Sequence, residues 1–398
     1  MSEWQHARTF VELALSIDKH LPGYVDAYFG PEEIREAVDA KEKKSLEELS
    51  TTLDQIATST RLNTKIAKER MEYLSAELNA MYTTLKILRG EEIDIVEETQ
   101  MLYGLTPIWI EESAFEEAHR VLNDLLPGSG PLAERMNSFR EKTIIPQESI
   151  ISIVRNIANE FRHRSKELFS LPENETCNYS IVQDKPWTAF NWYLGNYTSR
   201  IEINTDIPIR AGTILHLVAH ESYPGHHTEH AIKEKKLYDD GANLEHSVLL
   251  SNTPSAVVSE GIAEVAIEMI VTPEERAQFL QSILDQAELQ EVDGNQINQV
   301  IEAMDILTKV TINRLLLLHS KGASDQDIIN YGMRYGLLNE QQSRKSLEFY
   351  KDPLWRSYGF LYPLGYDLVR EFLSRGKSKA ERFSKLLQEP ITASQLTS

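Results

Sequence analysis

Residues 216–230 run His216-Leu-Val-Ala-His220-Glu221-Ser-Tyr-Pro224-Gly225-His226-His227-Thr-Glu-His230, and Pro224 rules out one undistorted helix through them. Proline lacks the N–H that the helical ladder needs, and its ring strikes the preceding turn. Gly225, next to it, permits almost any compensating backbone angle. Five of the chain's eleven histidines fall in this run. Neutral imidazole is a common metal ligand, and His220-Glu221 sets such a ligand beside a carboxylate able to take a proton from water. The helical zinc motif H-E-x-x-H places its second histidine one turn after the first. In this chain that position is Pro224.

Two arrangements restore a second ligand. A local bulge that absorbs two residues returns His226 to the usual place, and this is the expected one. A straight helix would instead put His227 on the face of His220, about 10.5 Å along the axis at ~1.5 Å per residue. His227 therefore stays open as the alternative. His216 with His220, and His226 with His230, are also four apart, but neither pair has the adjacent acid of His220-Glu221.

A catalytic zinc takes three protein ligands and leaves a fourth position for water. The third is expected downstream, in Val258-Ser259-Glu260-Gly261-Ile262-Ala263-Glu264-Val265-Ala266-Ile267-Glu268. Glu260, Glu264 and Glu268 recur every four residues and share one helical face. Glu260 stands out because Gly261 beside it would let this helix pack closely on the first. Ser259 would help cap or orient the site.

The rest of the chain reads as mainly α. The clearest helix spans 64–89, where Leu74, Leu78, Met81, Leu85 and Leu88 alternate steps of four and three before Gly90. Similar amphipathic segments cover 3–20, 45–59, 112–125, 131–143, 147–169, 274–320 and 325–336. The helical period disappears between Cys177 and Asn204, where aromatic residues concentrate. Within that stretch Ser199–Asn204 alternates polar and apolar residues, which predicts a short strand. A small hairpin or sheet thus precedes a helix starting near Ala211, and such a strand is expected to line a cleft and pair with an extended peptide. We read residues 1–398 as a single helical domain, with an N-terminal half (1–170) and a metal-site half (171–398).

Composition narrows the function classes. The 398 residues carry a net charge of -20, which argues against nucleic-acid binding. Cys177 is the only cysteine, so neither an intramolecular disulfide nor a thiolate metal site is expected. No apolar run approaches about 18 residues, so no membrane span is expected. The start, Met-Ser-Glu-Trp-Gln-His, does not read as a secretory leader, and a cytoplasmic location is the expectation.

The stretch His220-Glu221-x-x-Pro224-Gly225-His226-His227 resembles the H-E-x-x-P-G-H-H signature of the bacterial family called domain of unknown function 885. Glu260-Gly261-Ile262-Ala263 is similar to that family's later E-G-W-A segment, with Ile262 in place of tryptophan. It is also similar to the N-E-G-F-A motif of zinc aminopeptidases, whose glutamate is the third ligand; the resemblance thus implies Glu260. The H-E-F-G-H-A-L-H stretch of thimet and neurolysin-like oligopeptidases aligns best through Gly225-His226, which implies His226 as second ligand. The resemblance covers roughly residues 195–270, with a weaker echo from Tyr358 to Tyr366. It implies a mainly helical, gluzincin-like fold with a deep substrate channel.

Tyr358, Tyr362 and Tyr366 recur every four residues and are candidate oxyanion donors, provided Pro363 is tolerated in their helix. Arg356 is a candidate for a substrate carboxylate, and Arg200 and Asn204 for peptide backbone. The expected protein is a zinc metallopeptidase acting on short peptides, with Glu221 as general base. Hydrolysis of a non-peptide amide or ester is one alternative; a non-catalytic helical binding protein with a degenerate site is another. Oligomeric state stays open.

Overall fold

The computed structural model describes residues 3–62, 66–185, 187–376 and 378–397. Its architecture is mainly α with two small sheets. The helix Lys68–Leu88 buries Leu74, Leu78, Met81 and Leu85, as the period predicts; Thr64, where that period begins, lies outside the described residues. The stretch 274–320 departs from expectation. It is three helices, Pro273–Gln286, Gly294–Met304 and Val310–His319, rather than one. Asp293 accepts from the Gln296 N–H and caps the second helix, and Glu288 adopts a left-handed φ of 56° at the break. Capping chemistry here overrides a continuous apolar period.

Strands β1 (Val25–Tyr28) and β5 (Val248–Leu250) pair antiparallel. The second sheet has the order β2 (Thr176–Val182), β4 (Thr198–Asn204), β3 (Ala189–Tyr193), with β2 parallel and β3 antiparallel to β4. Ser199, Ile201 and Ile203 of β4 are buried while Arg200 is exposed, which is the predicted alternation. The expectation that this strand pairs with a peptide does not hold, because β4 is central and both its edges are taken. β3 carries the edge that is not paired with β4.

The hydrophobic cores mix both halves of the chain. One joins Ile150, Ile157 and Phe161 to Ile214, Leu215 and Val218. Another joins Val257, Val258 and Ile262 to Leu361, Val369 and Phe383. The helix Pro254–Ile270 lies between them, with Ala266, Ile267 and Ile270 in the first core. Gly261 permits close packing, but not against the first histidine helix. A Cβ there would lie 2.4 Å from Gly365 O and 2.5 Å from Val369 Cγ2, so the close crossing is with the helix Leu361–Ser374. Among the described residues no helix is long and apolar enough to cross a membrane.

At Pro224 the chain breaks rather than bulges. The helix Ala211–Glu221 ends, four residues intervene, and the helix His226–Lys233 begins. The Tyr223–Pro224 peptide is cis. The Gly225 N–H reaches back to Ala219 O at 2.9 Å and the Thr228 N–H to Ser222 O at 3.2 Å, so the second helix is tied to the end of the first. A Cβ on Gly225 would lie 1.9 Å from His220 O and 2.4 Å from Ala219 O, both backbone atoms. Gly225→Ala is therefore expected to lower unfolding stability by about 3 kcal/mol in urea denaturation, since the collision has no side chain that can yield. An unchanged midpoint would show that the break tolerates a side chain.

Candidate metal centre

Three helices bring the site together, the shortest of them, His226–Lys233, supplying His226. Ile214, Leu215, Val218 and Ala219 bury one face of Ala211–Glu221, and His220 near its end is buried on another. The helix Pro254–Ile270 is buried over most of its length and delivers Glu260, only 5% exposed. Its acidic stripe is graded: Glu260 is buried, Glu264 half-buried and Glu268 exposed.

His220, His226 and Glu260 converge with Glu221. His220 Nε2 lies 3.5 Å from Glu260 Oε2, and His226 Nε2 lies 3.8 Å from Glu260 Oε1. Ligand atoms of His220, Glu221 and His226 all fall within 4.8 Å of one another. Two further groups meet the same limit, His216 with His220 and Glu264, and His226 with Glu229 and His230. His220 and His226 are the shared members.

The hydrogen bonds around His226 fix which nitrogen is free. Ser259 Oγ donates to Glu229 Oε2 at 2.6 Å, because an ionised carboxylate can only accept. Its lone pair then accepts from His226 Nδ1 at 3.2 Å. The proton sits on Nδ1, and the Nε2 lone pair faces Glu260. His220 Nδ1 lies 3.4 Å from Glu264 Oε1, close but without a hydrogen bond. Tyr358 donates to Glu260 Oε1 at 2.6 Å and steadies that carboxylate.

These residues fit a cation. His220 Nδ1 and Glu260 Oε2 are buried without a hydrogen-bond partner, although acids and histidines crowd them. Buried polar atoms rarely stay unpaired. Among the described residues lining the adjoining cavity, Lys233 is the one Lys or Arg, and it is held by Glu229 at 2.6 Å. Titration reflects the same crowding. Burial pushes Glu221 up to about 7, near the pH where a carboxylate works as a base. Burial also works against the charge on Glu260, but His220, His226 and Tyr358 outweigh it and hold this carboxyl below the ordinary range. On His220, burial is outweighed by Glu260, Glu221 and Glu264, so its pKa rises to about 10. Burial lowers His226, and lowers His216 and His230 to about 3.

His227 points elsewhere. It is fully buried, with Nδ1 2.8 Å from Ser199 Oγ and Nε2 3.0 Å from Glu175 Oε2. Glu175 also accepts from Tyr223 at 2.6 Å and from Arg162 at 2.7 Å. Both nitrogens of His227 are thus engaged in a clasp between the helix break and the sheet. Glu175 lies 52 residues away, and no local pattern in the sequence announces it.

The other candidates divide. Tyr362 lines the cavity, its ring 6.4 Å from that of His220. Tyr366 instead donates to Glu268 at 2.8 Å in a separate surface cleft. Pro363 is accommodated because it falls in the first turn of Leu361–Ser374, where no ladder N–H is required. Arg356 is not at the cavity; it forks onto the buried Glu98. Arg200 is exposed, 3.1 Å from Glu202. Asn204 is buried and donates to the carbonyls of Lys185 and Trp187, both at 2.9 Å, shaping the approach to β3. Neither Arg200 nor Asn204 lines the cavity. The lining residues that sequence reading missed include Asp26, Glu77, Asn191, Lys233 and His246. Asn191 donates to the Glu221 carbonyl at 2.6 Å and fastens β3 to the end of the histidine helix.

Comparisons with known proteins place the fold and stop there. No protein-family model matches the chain, and no curated protein does. The resemblance to the domain of unknown function 885 family is therefore carried by motif residues alone. Among solved structures, a Colwellia psychrerythraea protein provisionally named a lipoprotein is similar over 92% of this chain and 68% of its own, at 15% identity and a TM-score of 0.58. A provisionally named lipoprotein of unknown function from Shewanella oneidensis matches over 88% and 70%, at 11% identity and a TM-score of 0.50. The M32 carboxypeptidase of Deinococcus radiodurans R1 covers 98% and 90% at 11% identity, but its TM-score of 0.47 is too low to argue from. The first two likenesses describe a shared mainly helical fold.

The Glu175 clasp makes a testable contribution to stability. Burial opposes the Glu175 charge, but His227, Tyr223 and Arg162 outweigh it and lower its pKa from 4.5 to about 2. A depressed carboxyl stabilises the fold above its unfolded pKa, and that stabilisation is lost as pH falls through the folded value. Glu175→Gln should cost roughly 3 kcal/mol at neutral pH, as removal of one partner from a buried charged network does. The gap from the wild type should close between pH 4.5 and about 2 in denaturant titrations. A gap independent of pH would show that the charge is not the source.

Proposed function

We propose that the chain is a zinc-dependent hydrolase that cleaves short peptides, with the metal held by His220, His226 and Glu260. One observation supports the reading: beside Glu221, His226 Nε2, its lone pair freed by the Ser259 hydrogen bond, and His220 Nε2 face the two oxygens of Glu260, of which Oε2, next to His220, has no hydrogen-bond partner. When bound, zinc polarises a carbonyl and brings the pKa of water toward about 7. Every other role falls to side chains of this chain.

Glu221 accepts a proton from the attacking water and returns it to the leaving amine nitrogen. Tyr362 donates to the developing oxyanion; no hydrogen bond occupies its hydroxyl among the described residues. Tyr358 holds Glu260 in place rather than meeting substrate. The edge strand β3, with Ala189, Phe190 and Asn191 at the cavity, offers backbone groups to an extended peptide. Tyr366, Arg356, Arg200 and Asn204 have no part in this reading.

Glu221→Gln tests the proposal. Peptide turnover should fall by about 10²–10⁴-fold, the usual contribution of a general base, while elemental analysis finds zinc unchanged. Undiminished turnover would contradict the role of Glu221 and with it the mechanism.

A further inference from the structure

Starting from His220, a series of ring contacts runs along the lining of the cavity. Tyr362 lies 6.4 Å from the His220 ring and Tyr358 lies 5.9 Å from Tyr362, measured between centroids. Trp355 follows at 5.0 Å from Tyr358, and Phe349 at 5.8 Å from Trp355. All four aromatic side chains line the cavity and are half-buried. The two tyrosines carry hydroxyls with roles in the proposed site. Trp355 and Phe349 have none, yet the series continues through them.

A second pair of rings comes from the sheet. Trp187, just before β3, and Phe190, on it, line the same cavity with centroids 5.6 Å apart and are also half-buried. Their backbone is held by Asn204, whose Nδ2 donates to Trp187 O and whose N–H donates to Thr188 O. Lys345 joins this segment to the first wall, its Nζ donating to Lys185 O at 3.3 Å. Phe349 lies four residues on in the helix Glu340–Lys351, so it shares the helix face that Lys345 turns to the Trp187 segment. Trp187, Phe190 and Trp355 belong to no hydrophobic core among the described residues. Rings that build no core leave apolar surface in water inside the cavity, and a ligand that covers it gains hydrophobic free energy. A planar ligand gains edge and face contacts as well.

We infer that Trp187, Phe190, Phe349 and Trp355 form a specificity subsite that takes an aromatic side chain of the peptide substrate. The inference rests on the reading of this cavity as the substrate site of a peptide hydrolase. β3 brings the subsite near the scissile bond: Phe190 adjoins Asn191, which donates to the Glu221 carbonyl at 2.6 Å. A chain extended along the edge of β3 carries its side chains past these rings. None of the four offers a carboxylate to a cationic side chain, so the class selected is apolar and planar rather than basic.

Calorimetric titration of the zinc-loaded Glu221→Gln chain tests the subsite without any turnover. The probes are N-acetyl-Ala-Ala-Ala-Ala-amide and its relatives with Phe or Lys replacing one alanine, at each position in turn. At least one Phe probe should bind about tenfold or more tightly than the all-alanine probe, the gain expected from burying a ring. The Lys probe at the same position should show no such gain. Adding Trp355→Ala or Phe349→Ala should remove most of the gain and leave binding of the all-alanine probe unchanged. Trp4→Ala, at a ring 53% exposed and outside the cavity lining, should preserve it. Where a ring variant fails to fold, the comparison of probes on the Glu221→Gln chain decides alone. Equal binding of Phe and alanine probes at every position, no binding of any probe, an equal gain for Lys, or a gain that survives both ring substitutions would overturn the subsite. Absence of the gain with wild-type peptide hydrolysis intact overturns the subsite alone. A wild type that does not hydrolyse peptides, yet whose Glu221→Gln form retains the gain for Phe, overturns the hydrolase reading and leaves the subsite standing.

Discussion

The contact between Gly225 and the last turn of the helix Ala211–Glu221 sets the geometry on which the rest depends. Its Cα lies so close to the carbonyls of His220 and Ala219 that a side chain has no room, and its N–H is bonded to Ala219 O. The second histidine helix can therefore start only a few ångströms from the first. That proximity puts the His220 and His226 rings 4.8 Å apart and nearly perpendicular. It also turns His227, one residue on, by about 100° to the opposite side, where it meets Glu175 and Ser199. Pro224 and Gly225 thus sort two adjacent histidines into two tasks.

The centre holds because apolar cores clamp it on two sides. Ile214, Leu215 and Val218 anchor one helix in the first core, and Val257, Val258 and Ile262 anchor the other in the second. Charged groups between them are kept close and partly dry, which strengthens their mutual interaction and makes an unpaired one costly. Further contacts orient these side chains: Ser259 and Glu229 bond in series to His226, and Tyr358 bonds to Glu260. Under the proposed reading, a metal ion would meet side chains whose orientations are already held.

Local chemistry is what the sequence makes legible. The period of Leu74, Leu78, Met81 and Leu85 gives a helix, alternation at Ser199–Asn204 gives a strand, and the spacing from His220 to Glu260 gives the residues that converge. Pro224 signals a departure from helix, though a four-residue break stands where a bulge is expected. Features that depend on distant partners are not legible. The central place of β4 follows from its pairing with β2 and β3. The clasp on His227 needs Glu175, and Arg356 is drawn off by Glu98, 258 residues away. Asp26, Glu77 and His246 come to the cavity from three separate segments, and none carries a motif. The break at Asp293 is an intermediate case, since a capping aspartate before Gly294 is visible in the sequence but is masked by the apolar period around it.

Anomalous diffraction at the zinc edge from zinc-loaded crystals tests the central claim most directly, because it locates the ion without reference to activity. The account predicts one strong peak bounded by the Nε2 atoms of His220 and His226 and a carboxylate oxygen of Glu260. A peak on His227, or no peak among these side chains at stoichiometric zinc, would contradict it.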